Sequence, residues 1–144
     1  MLIKQILAGK DAGKIATIKP DSSVSDAANM LSSHRIGALV VSNTGTDVAG
    51  ILAERDIVRE LGKRGTGCMS DKVSDLMTSN IVTATGADTA ESVLKTMTDK
   101  RFRHMPVMDG DTMIGIVSSG DIVSARLAEI NTEKEALQDM IMGH

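Results

Sequence analysis

The sequence predicts a mixed α/β (α+β) fold, built as two tandem copies of one unit of roughly sixty residues and followed by a C-terminal helix. Apolar runs of strand length alternate with stretches in which apolar residues recur at helical spacing. The segment 50–58 returns 65 positions later as 115–123, with five of its nine residues identical. Upstream of these segments, three residues recur at a spacing of 66 positions: Thr17 with Thr83, Arg35 with Arg101, and Val41 with Val107.

The first copy begins with a strand and a capped helix. Residues 2–7 precede it with helical spacing, as residues 73–77 precede the second copy, and a loop with Gly and Lys over 9–14 leads to a strand predicted over 15–18. Ser23 and Asp26 stand three apart, an acidic variant of the capping box, so they predict a helix start. The inward face of this helix consists of Val24, Ala27, Ala28 and Leu31. The basic residues His34 and Arg35 lie at its end.

Two strands and a helix are predicted for the rest of the first copy. Residues 36–42 form a nearly continuous apolar run, as expected of a strand buried on both faces. After a turn at 43–47, residues 48–53 predict a strand, and residues 56–61 predict a helix that Gly62 ends. Residues 63–71 contain two glycines and no periodicity, so they are interpreted as a linker.

The second copy repeats this order, with strands predicted over 81–83, 102–108 and 113–117 and a helix capped by Asp88 and Glu91. Pro106 has no N–H, so its strand is expected at a sheet edge or beside something other than a strand, which leaves room for a ligand. The last helix is predicted from Asp121 to about Met142. The apolar seam of this helix consists of Leu127, Ile130, Leu137, Met140 and Ile141. A helix packed on its own domain and a dimer contact explain this seam about equally well.

Composition limits the classes of function. The 144 residues are 42% apolar with a net charge of −3, and Phe102 is the only aromatic, so nucleic-acid binding by basic patches or base stacking is not expected. Cys68 stands alone and forms no intrachain disulfide, which favours a reducing compartment. The start of the chain does not resemble a signal peptide, and no apolar run approaches the ~20 residues of a membrane span. A cytoplasmic protein is therefore expected.

The turn that follows the last predicted strand carries the candidate chemistry. A helix N-terminus leaves backbone N–H groups unpaired and attracts oxygen-rich ligands. Asp121 offers two acceptor oxygens, which suit a ribose diol, and Ser118 offers a hydroxyl. Taken alone, both residues are better explained as ordinary helix caps. The repetition of the turn favours a functional role.

The two copies together resemble the CBS domain family. The features that carry the resemblance are the doubled strand-helix-strand-strand-helix order, the runs Ile-Gly-Ala-Leu-Val-Val at 36–41 and Arg-His-Met-Pro-Val at 103–107, and the glycine-led turns. The pair resembles a Bateman module and is similar to stand-alone bacterial proteins with only a CBS pair and a terminal helix. On this resemblance, residues 1–66 and 67–124 are the two repeats and residues 125–144 a C-terminal helical extension.

The resemblance implies that each repeat is a small, mostly antiparallel three-stranded sheet with two packed helices, and that two chains form a homodimer of four repeats. It also implies a regulatory binding module rather than an enzyme, with AMP, ADP, ATP or NAD(H) as ligand, S-adenosylmethionine in some members, and no obligatory cofactor. Such a module senses energy or redox state and signals through dimer packing to an effector protein that the sequence does not identify. The alternative is a scaffold or oligomerisation module with a vestigial cleft.

The resemblance also assigns roles to residues of the cleft. Asp121 would bind the ribose hydroxyls, Ser118 the ribose or phosphate, and Gly115 would keep the backbone close. Thr83, Val82 and Ala84 would face the base, while Arg35, Arg101, Arg103 and His104 would meet the phosphates. The expected lining also includes Ala38, Met105 and Pro106. In the first copy Ala53 replaces the Ser, so the site at Asp56 is expected to be weak or empty.

Overall fold

The computed structural model describes residues 1–10 and 15–143, so the predicted loop over 9–14 and the last residue of the C-terminal extension lie partly or wholly outside the described residues. The described part forms two three-stranded sheets with helices, as the α/β fold class predicts. The helices are α1 (Ile3–Gly9), α2 (Val24–His34), α3 (Glu54–Arg64), α4 (Val73–Leu76), α5 (Ala90–Lys100) and α6 (Ser119–Met142). The strands are β1 (Thr17–Ile18), β2 (Ala38–Val41), β3 (Gly50–Ala53), β4 (Ala84–Thr85), β5 (His104–Asp109) and β6 (Thr112–Ser118).

Both sheets have the same topology. The strand orders are β1-β2-β3 and β4-β5-β6, with the middle strand parallel to the first and antiparallel to the third. The antiparallel ladder is the longer one in each sheet, so the sheets are mostly antiparallel, as predicted. All four residues of β2 are buried, which confirms a strand covered on both faces.

The helix between the first two strands of each repeat, α2 or α5, begins at a hydroxyl cap and ends at an arginine. Ser23 Oγ accepts from the N–H of Asp26 at 3.0 Å and caps α2, as predicted. In α5 the cap is Thr89 rather than Asp88, whose carboxylate instead accepts from the N–H of Thr85 and closes the preceding turn. Both helices end at an arginine in the left-handed region, Arg35 with φ 53° and Arg101 with φ 60°.

Three predicted boundaries were wrong. Helix α3 runs through Gly62 to Arg64 and ends at Gly65, whose φ of 70° suits glycine. An exposed glycine inside a helix costs only about 1 kcal/mol, which neighbouring turns overcome. The predicted linker contains a 3-10 helix, Gly65–Ser70, that buries Cys68. In the second copy, residues 81–83 do not form a strand, and the short strand lies just after them.

Pro106 was expected at a sheet edge, yet β5 is the central strand of its sheet. The register explains how the fold accepts it. Strand β4 pairs with β5 only from Val107 onward, so no β4 residue pairs with Pro106. On its other side Pro106 pairs with Ile116 of β6, so the predicted place of this strand was wrong, and only the β4 side of the proline is without a strand partner.

The two hydrophobic cores exchange their short helices. Ile3 and Ile6 of α1 are buried in the core of the second sheet, whereas Val73 and Leu76 of α4 are buried in the core of the first. The division of the sequence at residues 66 and 67 stays a prediction about the repeats, while the packing crosses it. Each core is therefore completed by the segment that precedes the other repeat.

This exchange explains the glycine that begins each repeated turn. A Cβ at Gly115 would lie 2.6 Å from Leu7 of α1, and a Cβ at Gly50 would lie 2.7 Å from the carbonyl oxygen of Thr78. Strand β3 also forms a bridge with Thr78. Gly115 was expected to bring the backbone close to a ligand, but the close approach in the structure is to α1.

Helix α6 leaves the domain after its first three turns. Ile122 is buried and Ala125 packs on the second core, whereas residues 131–142 are exposed throughout. The predicted apolar seam is thus uncovered, with Leu137 58% and Ile141 79% exposed. Within residues 1–10 and 15–143, no helix is both long and apolar enough to span a bilayer.

Candidate functional site

Two cavities lie between the repeats, and each contains one of the repeated aspartates. The Asp121 cavity has a volume of about 560 Å³, and the Asp56 cavity about 290 Å³. Small-molecule sites in proteins typically measure ~300–1,000 Å³. The larger cavity therefore has room for a nucleotide, and the smaller one is at the low end of that range.

The Asp121 cavity takes its walls from three parts of the chain. The second repeat contributes His104, Ile114, Gly115, Ile116, Ser118 and Asp121. The first repeat contributes Ile15, Ala16, His34, Arg35, Ile36, Gly37 and Ala38. Helix α1 and the residue that ends it contribute Leu7 and Lys10. Aliphatic side chains thus cover one part of the wall, and charged or hydroxyl groups occupy the other.

Asp121 is held at the start of α6 by a reciprocal capping box. Ser118 Oγ accepts from the N–H of Asp121 at 3.0 Å, and Asp121 Oδ2 accepts from the N–H of Ser118 at 2.9 Å. The same Oδ2 accepts from Lys10 Nζ at 2.7 Å. Partial burial raises the pKa of Asp121, but the hydrogen bonds from Lys10 and Ser118 outweigh it and hold the pKa below its usual value. The carboxylate is therefore ionised at neutral pH.

Asp56 occupies the equivalent position at the start of α3 but is more deeply buried, with 5% of its surface exposed. Its Oδ2 accepts from the N–H of Ala53 at 2.9 Å, and its Oδ1 accepts from Arg59 Nη2 at 2.9 Å. Both oxygens thus have protein partners. Because Ala53 replaces the serine, this turn also lacks the hydroxyl.

His104 and Gly37 border both cavities. A Cβ at Gly37 would lie 3.5 Å from the imidazole ring, so the two residues form the wall between the cavities. Burial lowers the pKa of His104; Asp121 opposes this effect, while the cations Arg55 and Lys10 add to the lowering. The imidazole is therefore neutral at physiological pH.

The structure divides the predicted site residues between the two cavities. Six of them lie together in the Asp121 cavity: Asp121, Ser118, Gly115, His104, Arg35 and Ala38. Val82, Arg103 and Asp56 line the other cavity, which His104 also borders. Ala84, Met105 and Pro106 are buried in or beside the second core, and Thr83 is exposed outside both linings. Arg101 lies at a separate depression, where its carbonyl accepts from Arg55.

The predicted site had combined the Asp121 turn with the strand region of its own repeat. The structure shows a crossed arrangement, in which Ala16 of the first repeat faces Asp121 and Val82 of the second faces Asp56. Ala16 and Val82 are equivalent residues, 66 positions apart. If each aspartate turn had been paired with the first strand of the other repeat, the 66-residue spacing would have identified Ile15 and Ala16 as lining residues. No sequence signal identified Lys10.

The equivalent segments around Ala16 and Val82 differ at one backbone hydrogen bond. Val40 N–H donates to the carbonyl of Ala16 at 3.3 Å. The equivalent of Val40 is Pro106, which has no N–H to donate. The carbonyl of Val82 therefore lacks the hydrogen bond that the carbonyl of Ala16 receives.

The CBS domain family model matches residues 11–63 and 73–128. The chain belongs to the CBS domain family. The two matches form the tandem pair that the repeat predicts, and solved CBS pairs share its architecture.

Among solved structures, a CBS-domain protein from Agrobacterium tumefaciens is 37% identical, with a TM-score of 0.83 over 88% of this chain and 99% of that one. The CBS domain pair of protein MJ0100, solved in complex with 5′-methylthioadenosine and S-adenosyl-L-methionine, is 26% identical, with a TM-score of 0.76 over 90% of this chain and 98% of that one. A mitochondrial CBS domain-containing protein of Arabidopsis thaliana, CBSX3, is 39% identical over 127 residues. These residues are 85% of this chain and 62% of the relative, so the match spans less than two thirds of that relative.

Proposed function

We propose that this CBS pair is a regulatory module that binds an adenosine nucleotide, AMP, ADP, ATP or NAD(H), in the Asp121 cavity. The observation that carries the proposal is the ionised Asp121 carboxylate beside the Ser118 hydroxyl in a cavity with room for a nucleotide. A carboxylate can accept one hydrogen bond from each hydroxyl of a ribose diol. The related MJ0100 pair in complex with two adenosyl compounds supports this ligand class.

The remaining walls suit the other parts of such a ligand. Ile15, Ala16 and Ile36 offer an aliphatic surface for a purine in place of aromatic stacking, since Phe102 lines the Asp56 cavity instead. Arg35 and Lys10 supply positive charge for phosphates. The proposed function is binding rather than catalysis, and an effector protein would read the occupied state. The buried, free Cys68 supports a cytoplasmic, reducing setting.

Calorimetric titration with AMP, ATP, NADH and S-adenosylmethionine tests this function. One of these ligands should bind with micromolar affinity, and Asp121→Ala should weaken it by about 100-fold or more, because two hydrogen bonds to a charged group are lost. Asp56→Ala is the matched control and should leave that affinity unchanged. Unchanged affinity in folded Asp121→Ala would refute the site.

A second candidate function, a scaffold or oligomerisation module, is favoured by the exposed seam of α6. Leu127, Ile130, Leu137, Met140 and Ile141 are between 49% and 79% exposed. We propose that this seam contributes to a homodimer in either case. Silence from all four ligands with a folded protein would favour the scaffold over the sensor.

Sedimentation measurements test the homodimer. The natural chain should sediment as a dimer, and Leu137→Glu combined with Ile141→Glu should sediment as a monomer, because charges would replace apolar side chains in the contact. Glu133→Gln, on the same exposed segment, is the control and should stay dimeric. A dimer that survives the double substitution would exclude the seam from the interface.

A further inference from the structure

Lys10 binds one of the two carboxylate oxygens that a ribose would use. Its ammonium donates to Asp121 Oδ2 at 2.7 Å and to the carbonyl of Ile116 at 2.9 Å. The side chain reaches the cavity from the end of α1, more than a hundred residues away in sequence from both acceptors. About a third of its surface is exposed, so the ion pair is partly screened and can be exchanged. A ribose diol that uses both oxygens of Asp121 therefore competes with Lys10 for Oδ2.

The equivalent contact in the other cavity is of a different kind. Arg59 lies three residues after Asp56 on the same helix, so this ion pair is local. The charges also differ between the cavities. Glu54 and Asp56 face Arg55 and Arg103 in the Asp56 cavity, whereas the described lining of the Asp121 cavity has the basic residues Lys10 and Arg35 and one carboxylate, Asp121. Among the described residues, basic side chains thus outnumber carboxylates in the Asp121 cavity and are balanced by them in the other.

We propose that Lys10 is an internal competitor that makes the Asp121 cavity selective for adenosyl ligands with an anionic 5′ substituent. This inference rests on the proposed function of the cavity. In the free protein the ammonium takes the place of the ribose hydroxyls on Asp121. A neutral ligand that binds Asp121 leaves a partly buried ammonium without its partner, which weakens binding. A phosphorylated ligand supplies a new partner, and the flexible four-carbon stem of lysine allows the ammonium to move to it.

The two classes of ligand should respond to Lys10→Met in opposite directions. Without the competitor, 5′-methylthioadenosine should bind more tightly. AMP should bind about 10-fold more weakly, because a charge-assisted hydrogen bond to the phosphate is lost. The ratio of the two affinities should therefore shift by more than about 10-fold toward the neutral ligand.

Calorimetric titration of AMP and 5′-methylthioadenosine into the natural chain, Lys10→Met and Lys10→Arg measures this ratio. Lys10→Arg keeps the positive charge and should keep the preference for AMP. Lys63→Met, an exposed lysine on α3, is the control and should change neither affinity. An unchanged ratio in Lys10→Met, with AMP still bound by the natural chain, would overturn the role of Lys10 alone. A natural chain that binds neither of these ligands, and none of ATP, NADH and S-adenosylmethionine, would overturn the proposed function and this inference together.

Discussion

Asp56 and Asp121 are equivalent residues of one repeated turn, yet the structure gives them different surroundings. Asp56 is buried, and its two oxygens bond to the backbone of its own turn and to Arg59 of its own helix. Asp121 is partly exposed in the larger cavity, and its partner Lys10 comes from a distant segment. The repeated aspartate is thus a helix cap in both copies, and its neighbouring residues decide whether it is also accessible to a ligand.

The largest expected difference between the two aspartates is in their contribution to the stability of the protein. Asp56→Ala should lower the free energy of unfolding by about 2–3 kcal/mol, because it removes the cap at Ala53 and a nearly buried hydrogen-bonded group. Asp121→Ala should cost about 1 kcal/mol, because the group is more exposed and Ser118 still caps the helix. Urea unfolding of both variants measures the two values. Equal losses would mean that the two carboxylates have the same structural role.

The second-largest difference is expected between the two glycines that begin the turns. Gly50→Ala should destabilise the protein by about 1–3 kcal/mol, because the new methyl group meets the backbone carbonyl of Thr78. Gly115→Ala should cost less, because its obstacle is the end of the flexible Leu7 side chain. Thermal unfolding of the two variants side by side gives the ranking. The reverse ranking would contradict the crossing of β3 by the segment after α4.

Adding a hydroxyl at residue 53, or removing the one at residue 118, tests the difference between the caps of α3 and α6. Ala53→Ser should stabilise the protein by about 1 kcal/mol, because a serine there can accept from the N–H of Asp56 as Ser118 accepts from that of Asp121. Ser118→Ala should destabilise it by a similar amount. Urea titrations of both variants provide the measurement. Ala53→Thr places a hydroxyl at the same position and should also stabilise the protein.

The smallest effect concerns pH and the imidazole between the cavities. The pKa of His104 is lowered in the folded protein, so the unfolded chain binds the proton first as pH falls below about 6.5. The contribution of neutral His104 to stability is thus present above pH 6.5 and is lost as pH falls through the lowered pKa. His104→Gln should reduce the dependence of Tm on pH between pH 5 and 7. An unchanged dependence in folded His104→Gln would contradict this role of the imidazole.

The sequence by itself determined the local features of this protein. The repeat spacing, the Ser23 cap, the buried strand β2 and the length of α6 were all predicted, because each depends on neighbouring residues or on a single periodicity. The position of both aspartates at helix starts was predicted for the same reason. The boundary at Gly62 was wrong because an exposed glycine costs too little to end a helix, and the strand predicted over 81–83 lies at 84–85 instead.

Only the tertiary structure decided how the two repeats meet. The exchange of α1 and α4, the placement of Ala16 opposite Asp121, and the ion pair of Lys10 with Asp121 all join residues far apart in sequence. Local patterns contain no information on such contacts, since they depend on the pairing of two nearly identical units. The sequence therefore identified the carboxylate of the site, and the fold selected the residues that face it.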